Sequence, residues 1–288
     1  PMTHEKAARY CLLIGGVLWG LYWLPLKEVE AAGLSGAAPS ALVFAAAFVM
    51  ILPLGVWRWR SMGMRKGDLM VAGLLAGASI GLFTASLTQT EIVRAILLFY
   101  LTPVWSTALG MLVLGHKPTI ARFATLALGL VGLCVVLGLE SGLPVPRNIG
   151  DVMALIAGVS WSLVSLKLYR MPTAPVPDLI VAFVTGCAFV TGVLFLIAGV
   201  PTGQGALGMG APWIIFTALY IVPTLAMTLW PATLLTPARA GLLLMTEVVA
   251  GVISAALLSD EPFGIQEAIG ALLITAALLS EVIRPEKD

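Results

Sequence analysis

One carboxylate has the setting for chemistry. Glu247 interrupts an otherwise uncharged apolar run from Ala240 to Leu258. An ionisable group kept inside such a run is costly, and it is a functional candidate by default: it can meet a substrate ammonium or take up a proton. The structural alternative is a protonated or capping Glu that ties neighbouring helices together. Aromatic and hydroxyl residues recur at helical spacing elsewhere: Trp19 and Trp23 with Tyr22 between them, Tyr100 ahead of Pro103 with Trp105 beyond, Trp161 with Ser165, Thr84 with Thr88, and Tyr220 with Thr224. Residues four apart share a helix face. A wall of this kind suits an aromatic or aliphatic side chain, and aromatic faces also hold ammonium groups. Ordinary helix packing and interfacial tryptophan belts would produce the same spacing. The candidate substrate-binding set is therefore Trp19, Tyr22, Thr84, Tyr100, Pro103, Trp161, Ser165, Tyr220, Thr224 and Glu247.

Other chemistries find no support. No nucleophile, base and orienting group stand at a readable spacing, so an enzyme is not expected. His4 and His116 form no metal cluster, no phosphate-binding Gly-Lys-Ser/Thr loop occurs, and no cofactor is expected. Cys11, Cys134 and Cys187 lie in apolar runs and read as packing residues. A net charge of +1 argues against nucleic acid as a partner.

The elements that must position these residues follow from solubility. The 288 residues are 59% hydrophobic and 11% charged, with mean hydropathy +1.01. A soluble domain carries about 25% charge, so lipid must be the solvent for most of this surface. A helix needs about 20 apolar residues to cross about 30 Å of hydrocarbon. Charge-free runs predict spans at Tyr10–Leu26, within Ala31–Trp57, at Leu69–Thr90, Ala95–His116 and Phe123–Leu139, and with a core at Val152–Leu166. Leu179 to Ala238 is also uncharged; as one helix it would be about 90 Å long. The Gly- and Pro-rich stretch from Gly199 to Pro212 divides it into a seventh and an eighth span. Ala240–Leu258 and Gly264–Ser280 complete ten. Backbone polar groups in lipid must be satisfied within each segment, so all ten are helices. The first run reads as a retained helix and not a removed leader, and Pro1 before Met2 as an expression scar.

Ten spans put both termini on one side. All but Lys27, Arg94 and Arg147 of the 16 Lys and Arg residues fall on that side, which predicts cytoplasmic termini. Lys27 and Lys167 read as anchors. Arg94 and Arg239, at opposite faces, read first as snorkelling anchors and alternatively as gate pairs with Glu91 or another end charge.

The two halves also resemble each other. Leu101–Pro118 can be laid on Met245–Pro262 at an offset of 144 residues, Arg94-Ala-Ile-Leu-Leu on Arg239-Ala-Gly-Leu-Leu, and Gly16-Val-Leu-Trp19 on Gly158-Val-Ser-Trp161. Five spans per half, residues 1–143 and 144–288, force the second half to be inverted. Inverted repeats recur in secondary transporters, with the site near the midplane between halves. Gly73, Gly77 and Gly81, and Gly16 with Gly20, read as close-packing or sliding stripes. Pro103 lacks an amide donor and is expected to bend the fourth helix.

The five-plus-five spans, Leu18-Trp19-Gly20, Thr102-Pro103, Trp161 and the position of Glu247 together resemble the drug/metabolite transporter (DMT/EamA) superfamily, most of all its YddG-type aromatic amino-acid exporters. Glu247-Val248 stands where many members have Glu-Pro. The resemblance covers nearly the whole chain. It implies an all-α membrane basket of ten helices around a central cavity lined by spans one to four and six to nine, with spans five and ten peripheral. The expected function is export of small metabolites, aromatic or neutral amino acids first, across a bacterial inner membrane by a monomer working through alternating access. Spans three and four would rock against eight and nine. The alternative is a multidrug or cationic-metabolite exporter that exchanges protons at Glu247.

Overall fold

The protein is described by a computed structural model that covers residues 4–117, 119–138, 145–198, 206–258 and 264–284. Every regular element among these residues is helical. Ten helical spans are long and apolar enough to cross a membrane. Seven are continuous or nearly so: α3 (Ala38–Arg58), α4 (Lys66–Ser86), α7 (Ile120–Leu137), α8 (Ile149–Tyr169), α9 (Val176–Ala198), α10 (Ala206–Ala232) and α13 (Ile265–Ile283). Three are split: the first into α1 (His4–Leu21) and α2 (Trp23–Ala31), the fourth into α5 (Ile92–Phe99) and α6 (Thr102–Leu114), and the ninth into α11 (Pro237–Leu244) and α12 (Thr246–Leu258).

The first span, His4–Ala31, is longer than the uncharged run that marked it, because its ends extend into polar surroundings where Glu and Lys are tolerated. The break before the eighth span is shorter than its glycines and prolines suggested. α10 begins at Ala206 and continues through Pro212, Pro223 and Pro231. The remainder of that break, the expected boundary at residues 143 and 144, and the ends of the aligned segments at Pro118 and 259–262 lie outside the described residues.

The splits in the fourth and ninth spans use one device. In the fourth, the Thr102 hydroxyl returns to the Phe99 carbonyl at 2.5 Å; in the ninth, Thr246 returns to Leu243 at 2.6 Å. Each hydroxyl occupies a carbonyl freed where the regular ladder stops. Pro103 does not bend a continuous helix. It stands at the second position of α6, where its missing amide costs nothing. The ninth span breaks at Met245 with no proline present.

Packing is closest where side chains vanish. An ideal Cβ on Gly186 of α9 would lie 1.9 Å from the Gly73 carbonyl oxygen of α4, and one on Gly77 would lie 2.3 Å from the Gly186 oxygen. The third and seventh spans thus touch backbone to backbone. Gly20 does the same for the first and ninth spans, since a Cβ there would come 2.5 Å from the Glu247 carbonyl oxygen. Because the obstructing atom is backbone and cannot rotate away, Gly186→Val is expected to cost at least about 3 kcal/mol. Thermal unfolding of the purified variant in detergent checks this; a parent-like melting curve would contradict so close an approach.

Spans three and four, and spans eight and nine, touch each other only lightly, and each packs mainly on other spans. α4 runs along α8 and α9, whereas α5 and α6 lie on α8 and α11, and α10 packs chiefly on α1, α3 and α2. The end of α4 meets α5 lightly, through Phe83 and Phe99, and both border a cavity. α7 and α13 pack on each other, with a Gly132 Cβ meeting Gly270 at 2.9 Å, and neither lines that cavity. Leu112, Leu196 and Leu272 stand fully outward, as lipid-facing side chains do.

Candidate functional site

A cavity of about 410 Å³ occupies the middle of the helix assembly, within the range of small-molecule sites. The split first span supplies Trp19, Tyr22 at its break, Leu26 and Glu30. α3 supplies Pro39, Ser40 and Phe44, and α4 supplies Ser79, Ile80, Phe83 and Thr84. The split fourth span contributes Ile92, Phe99, Tyr100 and Thr102, α8 contributes Trp161, and the split ninth span contributes Gly241, Leu244 and Glu247. The rim residues Glu30, Gly36, Thr88 and Ile92 are exposed; Gly36 and Thr88 lie in the first and third interhelical connections, and Glu30 and Ile92 in the helix ends beside them. With ten crossings, both connections lie on the face opposite the termini, so the cavity opens there.

The splits explain why these side chains converge. Ending α5 at Phe99 and restarting at Thr102 frees Tyr100 from the helical ladder apart from its amide bond to the Ile96 carbonyl, 2.9 Å. Gly158 lets α8 approach this break, and the Ser162 hydroxyl donates to the Thr102 carbonyl at 3.1 Å. Gly20 seats the first turn of α12 against α1 and so sets the height of Glu247. The Tyr100 hydroxyl faces the Glu247 carboxyl as its hydrogen-bond partner.

The walls are aromatic. Trp19 and Tyr22 meet edge to face with ring centres 5.5 Å apart, Phe83 and Phe99 at 4.6 Å, and Phe99 and Tyr100 edge to face at 5.4 Å. The Trp19 indole donates to Thr228 at 3.1 Å, which fixes the ring. Ser40 and Thr84 link α3 to α4 across the wall at 3.4 Å. The Tyr22 hydroxyl and the Ser79 hydroxyl are buried with no protein partner. The charged residues lining the cavity are Glu30 at the rim and Glu247 inside; no Lys, Arg or His lines it among the described residues.

Six of the ten sequence candidates therefore share one cavity: Trp19, Tyr22, Thr84, Tyr100, Trp161 and Glu247. Four lie elsewhere. Pro103 packs its backbone against Gly241 where the fourth and ninth spans cross. Ser165 is buried in α8, 2% exposed. The Tyr220 hydroxyl donates to the Leu18 carbonyl, and Thr224 donates to the Tyr220 carbonyl at 2.8 Å. Spans seven and eight contribute no lining residue, contrary to the expected lining by spans one to four and six to nine. Sequence reasoning passed over Ser40 and Phe44, and also Ser79 and Phe83, two pairs at four-residue spacing that could have been found by the same rule.

Arg94 and Arg239 are not snorkelling anchors. Arg94, 5% exposed, donates from Nη2 and Nε to Asp151 at 2.6 and 3.1 Å, tying the start of α5 to the start of α8 beside the cavity mouth. Arg239, 2% exposed, donates to Glu281 at 2.7 Å and to Glu5 at 2.8 Å on the terminal face. That face is closed further by Arg58 with Asp178 and by Lys167 with Asp68.

Ten apolar spans around such a cavity define a multi-pass membrane protein. Residues 8–138 match the model of the EamA-like transporter family, whose members are transporters and not enzymes. No curated protein matches the chain. A solved structure titled only "Crystal structure of protein" is similar in fold, with a TM-score of 0.73 and 18% identity over 97% of this chain and 96% of its own.

Proposed function

We propose that the chain is a secondary transporter that exports small metabolites from the bacterial cytoplasm across the inner membrane, with aromatic and neutral amino acids as the first class. The cavity carries this reading: it is aromatic-walled, of small-molecule size, and open at one membrane face while buried ion pairs close the other. The positive bias of the terminal face puts the termini in the cytoplasm, so this state faces outward. Two inverted halves, residues 1–143 and 144–288, are supported by the matching threonine devices in spans four and nine. They are also supported by paired contacts at opposite faces, where Arg94 joins spans four and six and Arg239 joins spans nine and one. Exchange of such contacts between halves is the basis of alternating access. The proposed working unit is the monomer. A second reading, an exporter of cationic metabolites or drugs, is favoured by the lone interior carboxylate, Glu247.

Counterflow of a labelled amino-acid panel into proteoliposomes tests the proposal. Accumulation of at least one aromatic or neutral amino acid above empty vesicles is expected; movement of none would overturn the amino-acid class.

A further inference from the structure

Resting on the transporter reading above, and siding with its second, cationic-substrate form over free amino acids, we propose that the cavity selects against a free carboxylate: amines and carboxylate-masked amino acids with an aromatic or aliphatic body bind more tightly than the parent zwitterions.

Electrostatics of one sign carries the inference. Glu30 and Glu247 are both acids, and no cationic side chain lines the cavity among the described residues. Arg94 and Arg239, at opposite membrane faces, are engaged with Asp151 and with Glu281 and Glu5. A substrate carboxylate entering the cavity would leave water without a counter-cation, and burying an unpaired charge is strongly unfavourable.

The unpartnered Tyr22 and Ser79 hydroxyls could donate to a carboxylate but carry no charge to neutralise it, and the other receptor would be a half-helix N-terminus. Each of the two at the splits has some first-turn amides already used or missing. At the start of α6, Pro103 has no amide hydrogen, and the Val104 and Trp105 amides both donate to the Leu101 carbonyl, at 2.9 and 3.2 Å. At the start of α12, Glu247 itself occupies the first turn, and the Val248 amide donates to Met245 at 3.0 Å. The opposite half-helix ends also border the cavity, with the Phe99 and Leu243 carbonyls already accepting from Thr102 and Thr246. α5 ends beside Phe99 and Tyr100, and α11 ends at Leu244. Helix C-termini carry partial negative charge. An ammonium thus meets Glu247 and aromatic faces, both attractive to a cation. A carboxylate meets the same set with the sign reversed.

The test uses the full chain in lipid nanodiscs and four probes of similar body: tryptamine, tryptophan amide, tryptophan and indole-3-propionate. Equilibrium binding is read by calorimetry, and counterflow of the same four is read in proteoliposomes. Tryptamine and tryptophan amide are expected to bind at least about tenfold more tightly than tryptophan, with indole-3-propionate weakest. Glu247→Gln, checked for a single monodisperse species, is expected to shrink the amine preference to about threefold or less without weakening indole-3-propionate. Tryptophan binding as tightly as tryptamine in the parent protein overturns the inference by itself, whatever the variant does. Counterflow separates the two levels. Movement of tryptophan with no amine advantage leaves the transporter reading standing and removes this one. No movement and no binding of any probe removes both.

Discussion

Glu281→Leu is expected to destabilise the protein by about 3–5 kcal/mol, the cost of removing one partner from a buried ionic cluster. Glu281 is fully buried in the last turns of α13. Its Oε1 takes the Arg239 Nε at 2.7 Å and pairs with Arg122 at 3.5 Å, while Oε2 takes Arg284 at 3.4 Å. One carboxylate therefore gathers guanidiniums from α7, from α11 and from just beyond α13. Glu5 on α1 adds a second acid, which bonds both Arg9 and Arg239. Leucine fills much of the volume but leaves the positive charges gathered in a site that excludes water. Glu281→Gln keeps an acceptor and should lose less. Thermal unfolding in detergent at low and high salt measures the effect. The loss should persist at high salt, because buried pairs are screened weakly. A parent-like melting temperature for Glu281→Leu would show that the cluster does not hold the terminal face together.

Asp151→Leu is expected to cost a similar about 3–5 kcal/mol at the opposite face. Asp151 is fully buried and accepts from Arg94, from the Thr90 hydroxyl at 2.6 Å and from the Arg147 amide at 2.9 Å. Its own amide is capped by the Asn148 side chain at 2.8 Å. The leucine variant takes the carboxylate from Arg94, which also donates to the Val145 carbonyl at 2.8 Å. Removing both charges should recover much of the loss, because an apolar pair no longer leaves an uncompensated ion. The double variant Arg94→Leu/Asp151→Leu should therefore melt above Asp151→Leu alone. If it melts lower, by the sum of the two single losses, the pair is not energetically coupled.

Some of the site was legible in the sequence. Glu247 was found because a charge inside an apolar run is conspicuous. Trp19, Tyr22, Tyr100 and Trp161 were found because large amphipathic rings at helical spacing narrow the choice. Thr224 and Tyr220 were misplaced for a physical reason. In a helix a threonine satisfies its hydroxyl on its own preceding turn, as Thr224 does on Tyr220, Thr228 on Thr224 and Thr191 on Cys187. A hydroxyl inside a span therefore need not face a site. Arg94 and Arg239 were misread because their acids come from other spans, Asp151 and Glu281, which sequence spacing does not bring near.

The sequence by itself determined the solvent, the number of crossings and the charge bias between faces. Each depends on local hydrophobicity summed along a segment about 20 residues long. Only the tertiary structure decided which face of each helix lines the cavity and where the fourth and ninth spans break. In a soluble helix, polarity marks the outer face. In lipid, the outer face and the packed face are both apolar, so periodicity loses that information. Glu247 carries this division. Its place in an apolar span was plain from the chain alone, whereas Tyr100, Phe99 and Trp161 were brought into the same cavity by breaks and glycine contacts among four different spans.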